Sequence, residues 1–286
     1  VFTYDKQFNV NIFKANLANF DGGNIKVTYG GQNYFRMQIF SNNKPWYWYG
    51  PLHECLMCDV PTQVAEVHGL GTFVRPDGNS WVAETIQQKY EGHARLLESY
   101  VATDEKKDPR WLFYLAQSYR DAGGVENHKK SIERYKKRSD VNTGYWEEVY
   151  YSLLMVASLK AQTGAPIHEV LEDYLKCGKT NPYRAEHLLP VILHYQSLKE
   201  YDIAYIFSSH AMKFAGQNPF PKTTLFIDPS IYMWKIFDIH SLSCWYSNRK
   251  EEAKEVYLKL VKALEVGDVP ESERKRIEDN KKYFIG

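Results

Sequence analysis

Leu188-Leu189-Pro190-Val191-Ile192-Leu193-His194-Tyr195, followed by Tyr201-Asp202-Ile203-Ala204-Tyr205-Ile206-Phe207-Ser208-Ser209-His210-Ala211, decides the fold of the larger part of this chain. Leu188, Val191, Ile192 and Tyr195 recur at the three-and-four spacing of one helical face. Ala204, Ser208 and Ala211 repeat it with small side chains. Small residues in that pattern let a second helix backbone approach the first closely. The reading is a helix pair.

A helix pair cannot bury its apolar face alone, so further copies are expected. The spacing is that of a tetratricopeptide repeat. A second copy places Ala253 and Tyr257 at the matching second-helix positions. A third begins at Trp111-Leu112-Phe113-Tyr114-Leu115-Ala116-Gln117-Ser118-Tyr119, with a long turn over Gly123 to His128. A looser copy covers Tyr150 to Leu175, and an insertion rich in Pro and Phe, Phe214 to Ser230, separates the last two. Upstream, Thr103-Asp104-Glu105-Lys106-Lys107-Asp108-Pro109 reads as a charged linker. It gives a boundary between 1–102 and 103–286.

The N-terminal part has a different period. Asn24 to Tyr29 and Tyr34 to Phe40 alternate as half-buried strands around a loop at Gly30 to Asn33, a hairpin. Val64 to Val74 is strand-like, and Arg75 to Asn79 is a turn. Phe8, Ile12, Phe13 and Leu17 suit a short helix. From Val82 onward the period becomes helical, with Ile86, Tyr90, Ala94 and Leu97 on one face. Between these lies Trp46-Tyr47-Trp48-Tyr49-Gly50-Pro51-Leu52-His53-Glu54, which joins contact surface to two side chains able to do acid, base or metal work.

Composition narrows the function classes. The chain has 286 residues, 44% hydrophobic and 25% charged, with a formal net charge of +1. That balance gives no overall field for nucleic acid or anionic membrane. The basic run Lys129, Lys130, Arg134, Lys136, Lys137 and Arg138 reads as a solvated helix face. The longest apolar stretch, Leu153 to Leu159, is far short of a membrane span. Cys55, Cys58, Cys177 and Cys244 are too scattered for a disulfide framework, which suits a reducing, cytoplasmic setting. Cys55-x-x-Cys58 lacks the second pair that a structural zinc site wants. His93, His168, His194 and His240 sit in helical patterns and read as structural.

Two sets of motifs together resemble family-2 glycosyltransferases that carry C-terminal tetratricopeptide repeats. The matching pieces are Tyr34-Phe35-Arg36, Trp46-x-x-Tyr49-Gly50-Pro51-Leu52-His53-Glu54, Asp77-Gly78-Asn79-Ser80 and Lys89-Tyr90. Asp108-Pro109-Arg110, Phe113 to Gly123, Tyr135-x-Lys137-Arg138, Trp146-Glu147-Glu148 and Arg184-Ala185-Glu186 continue them. The resemblance implies an α+β chain: a partial GT-A-like α/β catalytic region over 1–102, then an all-α repeat domain over 103–286. The family's Asp-x-Asp motif, which holds a divalent cation (Mn or Mg), occurs nowhere in this sequence. The order of motifs places it upstream of Val1, with the nucleotide-binding half.

The resemblance implies inverting transfer of a sugar from a nucleotide-sugar donor to a glycan or protein acceptor. His53 is then a cation ligand or a donor to the diphosphate, and Glu54 the base or the residue orienting His53. Arg36 pairs with phosphate, and Trp46, Trp48 and Tyr49 form the acceptor platform. Two further readings stay open. One is a non-catalytic scaffold binding a protein partner in the repeat groove; the other is a glycan-binding module.

Overall fold

A computed structural model describes residues 1–6, 8–29, 32–74, 85–103, 108–141, 143–216 and 225–285. The expected turns at Gly30-Gly31 and Arg75 to Asn79 lie outside these residues. So do Asp77-Gly78-Asn79-Ser80, Val82, Asp104 to Lys107 and the middle of the insertion. The chain divides into two compact units, Val1–Tyr100 and Val101–Gly286.

Among its described residues the first unit holds six strands: β1 (Phe2–Tyr4), β2 (Gly22–Tyr29), β3 (Gln32–Phe40), β4 (Trp46–Tyr49), β5 (Cys55–Cys58) and β6 (Val64–Phe73). Helix α1 spans Val10–Leu17, and α2 spans Ile86–Thr103. One sheet runs in the order β1-β6-β2-β3, and β4 and β5 form a separate two-stranded sheet. The hairpin β2–β3 matches the alternation read above: Ile25 and Val27 are buried while Lys26 between them is exposed. Gly23 is required where β6 crosses closely, because a Cβ there would stand 2.9 Å from the Val67 methyl.

This sheet corrects the GT-A expectation. An α/β sandwich joins parallel strands through helices that then cover the sheet. Here β2 and β6 are parallel, yet the chain between them runs through β3, β4 and β5. No helix occurs among the described residues from 22 to 74.

The second unit is a helical ladder. Its helices are α3 (Arg110–Ala122), α4 (Val125–Ser139), α5 (Glu147–Gln162), α6 (Ile167–Thr180), α7 (Leu188–Ser197), α8 (Tyr201–Ala211), α9 (Ile236–Tyr246), α10 (Lys250–Val266) and α11 (Glu271–Phe284). A π-helical turn, Ile231–Lys235, leads into α9. From α3 to α11 each helix packs on the next in sequence. The second helices share one buried row at i, i+4 and i+7. It reads Ser131-Tyr135-Arg138, Val170-Tyr174-Cys177, Ala204-Ser208-Ala211 and Ala253-Tyr257-Leu260. The Ser131 hydroxyl donates to the Ala116 carbonyl at 2.7 Å, which sets how closely α4 approaches α3.

The core is a chain of overlapping clusters rather than one centre. Phe113, Tyr135 and Leu159 form one cluster, Tyr150, Tyr174 and Val191 the next. Ile192, Ala204 and Ile239 form a third, and Tyr257, Leu260 and Phe284 close the ladder. Each large apolar side chain so buried contributes about 1.5–3 kcal/mol. Local signals mark the helix ends. Pro166 and Pro270 precede α6 and α11, where a missing amide hydrogen costs nothing. Gly267, at φ 85°, ends α10 in the left-handed conformation that glycine adopts freely.

The basic run on α4 is solvated except at one position. Arg138 is fully buried and ion-pairs with the nearly buried Glu148 at 2.8 Å. It also donates to the carbonyls of Val141 and Tyr145. Its place at i+7 from Ser131 aims it inward, and helical geometry overrides the charge of its neighbours.

Candidate functional site

The residues singled out in the first unit lie near one another but on an open surface. Gly50 to Glu54 make the turn between β4 and β5, and His53 sits there at φ 53°. Arg36 donates to the Glu54 main-chain carbonyl at 3.3 Å, so it holds the turn rather than the carboxylate. Trp46 is half-buried, with its indole N–H on the Ser41 carbonyl at 3.0 Å and its ring edge on Phe40. Trp48 is 59% exposed, so it is not the core residue that aromatics on a strand usually are. Tyr47 donates to Asp59, a contact that raises its phenol pKa. The Tyr49 carbonyl accepts from the Cys55 thiol. A cleft of about 300 Å³, lined by Asp5, Lys26, Phe35 and His68 among others, includes none of Arg36, Trp46, Trp48, Tyr49, His53 and Glu54.

Cys55 and Cys58 are three apart on β5, a spacing that places them on opposite faces of a strand. The other two thiols are buried and pushed up to about 12 by desolvation. Among the described residues, the group with metal-ligand chemistry is His240, Cys244 and Glu252. The His240 Nε2 is 3.2 Å from Glu252 Oε1 and 3.5 Å from Cys244 Sγ. Its Nδ1 meets the Ser208 hydroxyl at 2.8 Å. Both ring nitrogens thus have hydrogen-bond partners, which is what a structural histidine joining α8, α9 and α10 requires. Burial lowers its pKa.

The densest polar geometry lies at the start of α5 and in the connection that leads from α6 into α7. Glu147, Arg184, Glu186 and His187 are each buried by nine-tenths or more. Arg184 donates from Nε to Glu186 Oε2 at 2.9 Å, and its Nη2 makes an ion-pair contact with Oε1 at 2.8 Å. Its guanidinium also lies over the Tyr150 ring at 4.8 Å. Tyr232, in the π-helical turn, donates to Glu186 Oε2 at 2.6 Å and accepts from the Ala185 amide. His187 meets the Tyr150 hydroxyl at 3.3 Å, and burial lowers its pKa to about 4. Gly178 makes room for that ring: a Cβ there would stand 2.6 Å from Nε2.

Glu147 and Arg184 reach one residue of the insertion. Glu147 Oε2 accepts from the Leu225 amide at 2.9 Å, and Arg184 Nη1 donates to the Leu225 carbonyl at 2.8 Å. The Leu225 side chain packs on the cluster of Phe113, Tyr135, Val156 and Leu159. The Phe226 ring stacks parallel to Phe113 at 6.3 Å and tilts on Tyr151 at 4.9 Å. Beside this contact, half-exposed side chains continue along α3 and α5. Arg120 Nη1 donates to the Tyr151 hydroxyl at 2.9 Å and lies 3.7 Å from Met155 Sδ.

Sequence reading missed this site. Its signal was present: Glu147-Glu148, at the start of α5, and Arg184-Ala185-Glu186, just before α7, are charges beside apolar helical runs, which bury only if those charges find partners. Some of the partners are local, as Glu186 is for Arg184, but Leu225 lies some forty to eighty positions from Arg184 and Glu147.

No protein-family profile matches the chain, and no curated protein does. Among solved structures, it is similar to MamA at 18% identity, covering 64% of this chain and 97% of that one with a TM-score of 0.43. A tetratricopeptide repeat protein from Parabacteroides merdae matches at 14% identity over 67% and 66% of the two chains, TM-score 0.45. BtubC from P. vanneervenii matches at 10% identity over 71% and 82%, TM-score 0.49. None of these is a glycosyltransferase. The sheet topology above overturns the family-2 glycosyltransferase resemblance, and nothing supports the nucleotide-sugar donor that it implied. No helix among the described residues is long and apolar enough to cross a membrane.

Proposed function

We propose that this chain is a protein-interaction scaffold whose helical ladder presents the first helices of its pairs to a protein partner. The observation that supports it is the ordered, half-exposed surface along α3 and α5. Arg120 is fixed there by Asp121 at 2.7 Å and by the Tyr151 hydroxyl at 2.9 Å. Long side chains held in one geometry lose little entropy on binding, so such a surface is prepared for contact. A repeat ladder also extends that surface along one direction, which suits an elongated partner.

The test is selection of dodecapeptides from a random display library on the full chain. Enriched peptides are expected to lose roughly tenfold or more in affinity to Arg120→Ala and Gln117→Ala variants of unchanged helicity, the size expected of an interface anchor. Peptides that bind those variants as well as the parent, or a library with no enrichment, would overturn the reading.

A further inference from the structure

We propose that the start of α5 and the connection into α7 form a main-chain clamp, now filled by the chain's own Leu225-Phe226, whose external partner is a peptide that turns at an adjacent aliphatic–aromatic pair. This rests on the scaffold reading and names the chemistry of the partner. The two contacts to Leu225 are its amide and its carbonyl, made by two ionised side chains, Glu147 and Arg184. A pair that satisfies both polar groups of one residue reads backbone, so any chain in that conformation satisfies it. Both clamp residues are held before the segment arrives. The Tyr145 hydroxyl bonds the second oxygen of Glu147, and Glu186 and Tyr150 fix Arg184.

The clamp leaves specificity to two adjacent sites. Leu225 enters an apolar cluster of α3, α4 and α5, and Phe226 lies on the Phe113 and Tyr151 rings. The aliphatic site covers Leu225 in part, and the aromatic site is more open, since Phe226 keeps 48% of its surface exposed. Phe226 also stands at φ 49°, a conformation that side chains with a Cβ adopt at a cost. A segment that is strained, half-exposed and held through its backbone is the kind that a better-fitting chain displaces.

The experiment uses the full chain and a fluorescein-labelled peptide of residues 222–229, Lys-Thr-Thr-Leu-Phe-Ile-Asp-Pro. In Phe226→Ala, which empties the aromatic site, and in L225D/F226S, which empties both side-chain sites, the segment's own hold is weakened and binding is expected at least roughly tenfold tighter than to the parent. A Tyr151→Ala change added to either variant is expected to weaken it again. Hydrogen exchange on the parent protein supplies the second arm. The Leu225 amide is expected to exchange about a hundredfold or more faster than the α5 interior amides, the mark of local release. Folded variants that ignore the peptide overturn the proposal. So does a Leu225 amide that exchanges only with global unfolding, whether or not the variants fold. Display-selected peptides that bind near Arg120 while this peptide fails would keep the scaffold reading and remove only the clamp.

Discussion

The two units of this chain bury charge and aromatic surface in opposite ways. The N-terminal unit keeps Trp48, Tyr47 and Arg36 in solvent, around a turn held by main-chain bonds. The C-terminal unit encloses Arg138, Glu148, Arg184 and Glu186 completely or nearly so. A side chain on a short exposed strand can be exchanged at little cost. A charge inside a ladder of packed helices is fixed by every partner around it. The residues most suggestive of chemistry in the sequence therefore lie where structure constrains them least.

Predictions that break the contrast begin with the buried pair. Glu148→Ala leaves the Arg138 guanidinium buried without its carboxylate and is expected to destabilise the second unit by about 3–5 kcal/mol. Urea unfolding followed by helical circular dichroism measures this, and a loss below about 1 kcal/mol would place the pair in solvent.

His187 sharpens it through pH. Its pKa falls from the ordinary 6.5 to about 4 when folded. The unfolded chain therefore takes up the proton first as pH drops. The stability it contributes is complete above about pH 6.5 and is lost down to about pH 4, some 3 kcal/mol in all. The comparison is the difference in unfolding free energy between the parent and His187→Gln at each pH; a difference that stays flat across this window contradicts the assignment.

Gly178→Ala places a methyl 2.6 Å from the His187 ring. Overpacking of this kind costs about 1–3 kcal/mol, visible as a fall in melting temperature. The smallest effect is in the first unit. Trp48→Ala, at a side chain 59% exposed, is expected to change stability by no more than about 0.5 kcal/mol. A large loss there would show that the aromatic strand is packed.

Much of the ladder was legible because a helix pair repeats its spacing. The rows ending in Ala211 and at Tyr257 gave second helices directly, and the strand alternation gave the β2–β3 hairpin. Arg138 was misread as solvated because a run of like charges hides the one member that falls on the inner face. The resemblance to a sugar-transferring family rested on short motifs in order, such as the turn from Tyr49 to Glu54. Order along a chain does not report how strands connect, and the path from β2 to β6 through β3, β4 and β5 decided against it. The clamp on Leu225 was invisible for a related reason: it joins three segments far apart in sequence, and none of them carries a local signature of the others.

The most direct test of the scaffold account is the footprint of a display-selected peptide on the full chain, read by hydrogen exchange. The account predicts new protection on α3 and α5, around Gln117, Arg120 and Tyr151. Protection confined to residues 46–54 would place recognition in the first unit and contradict it.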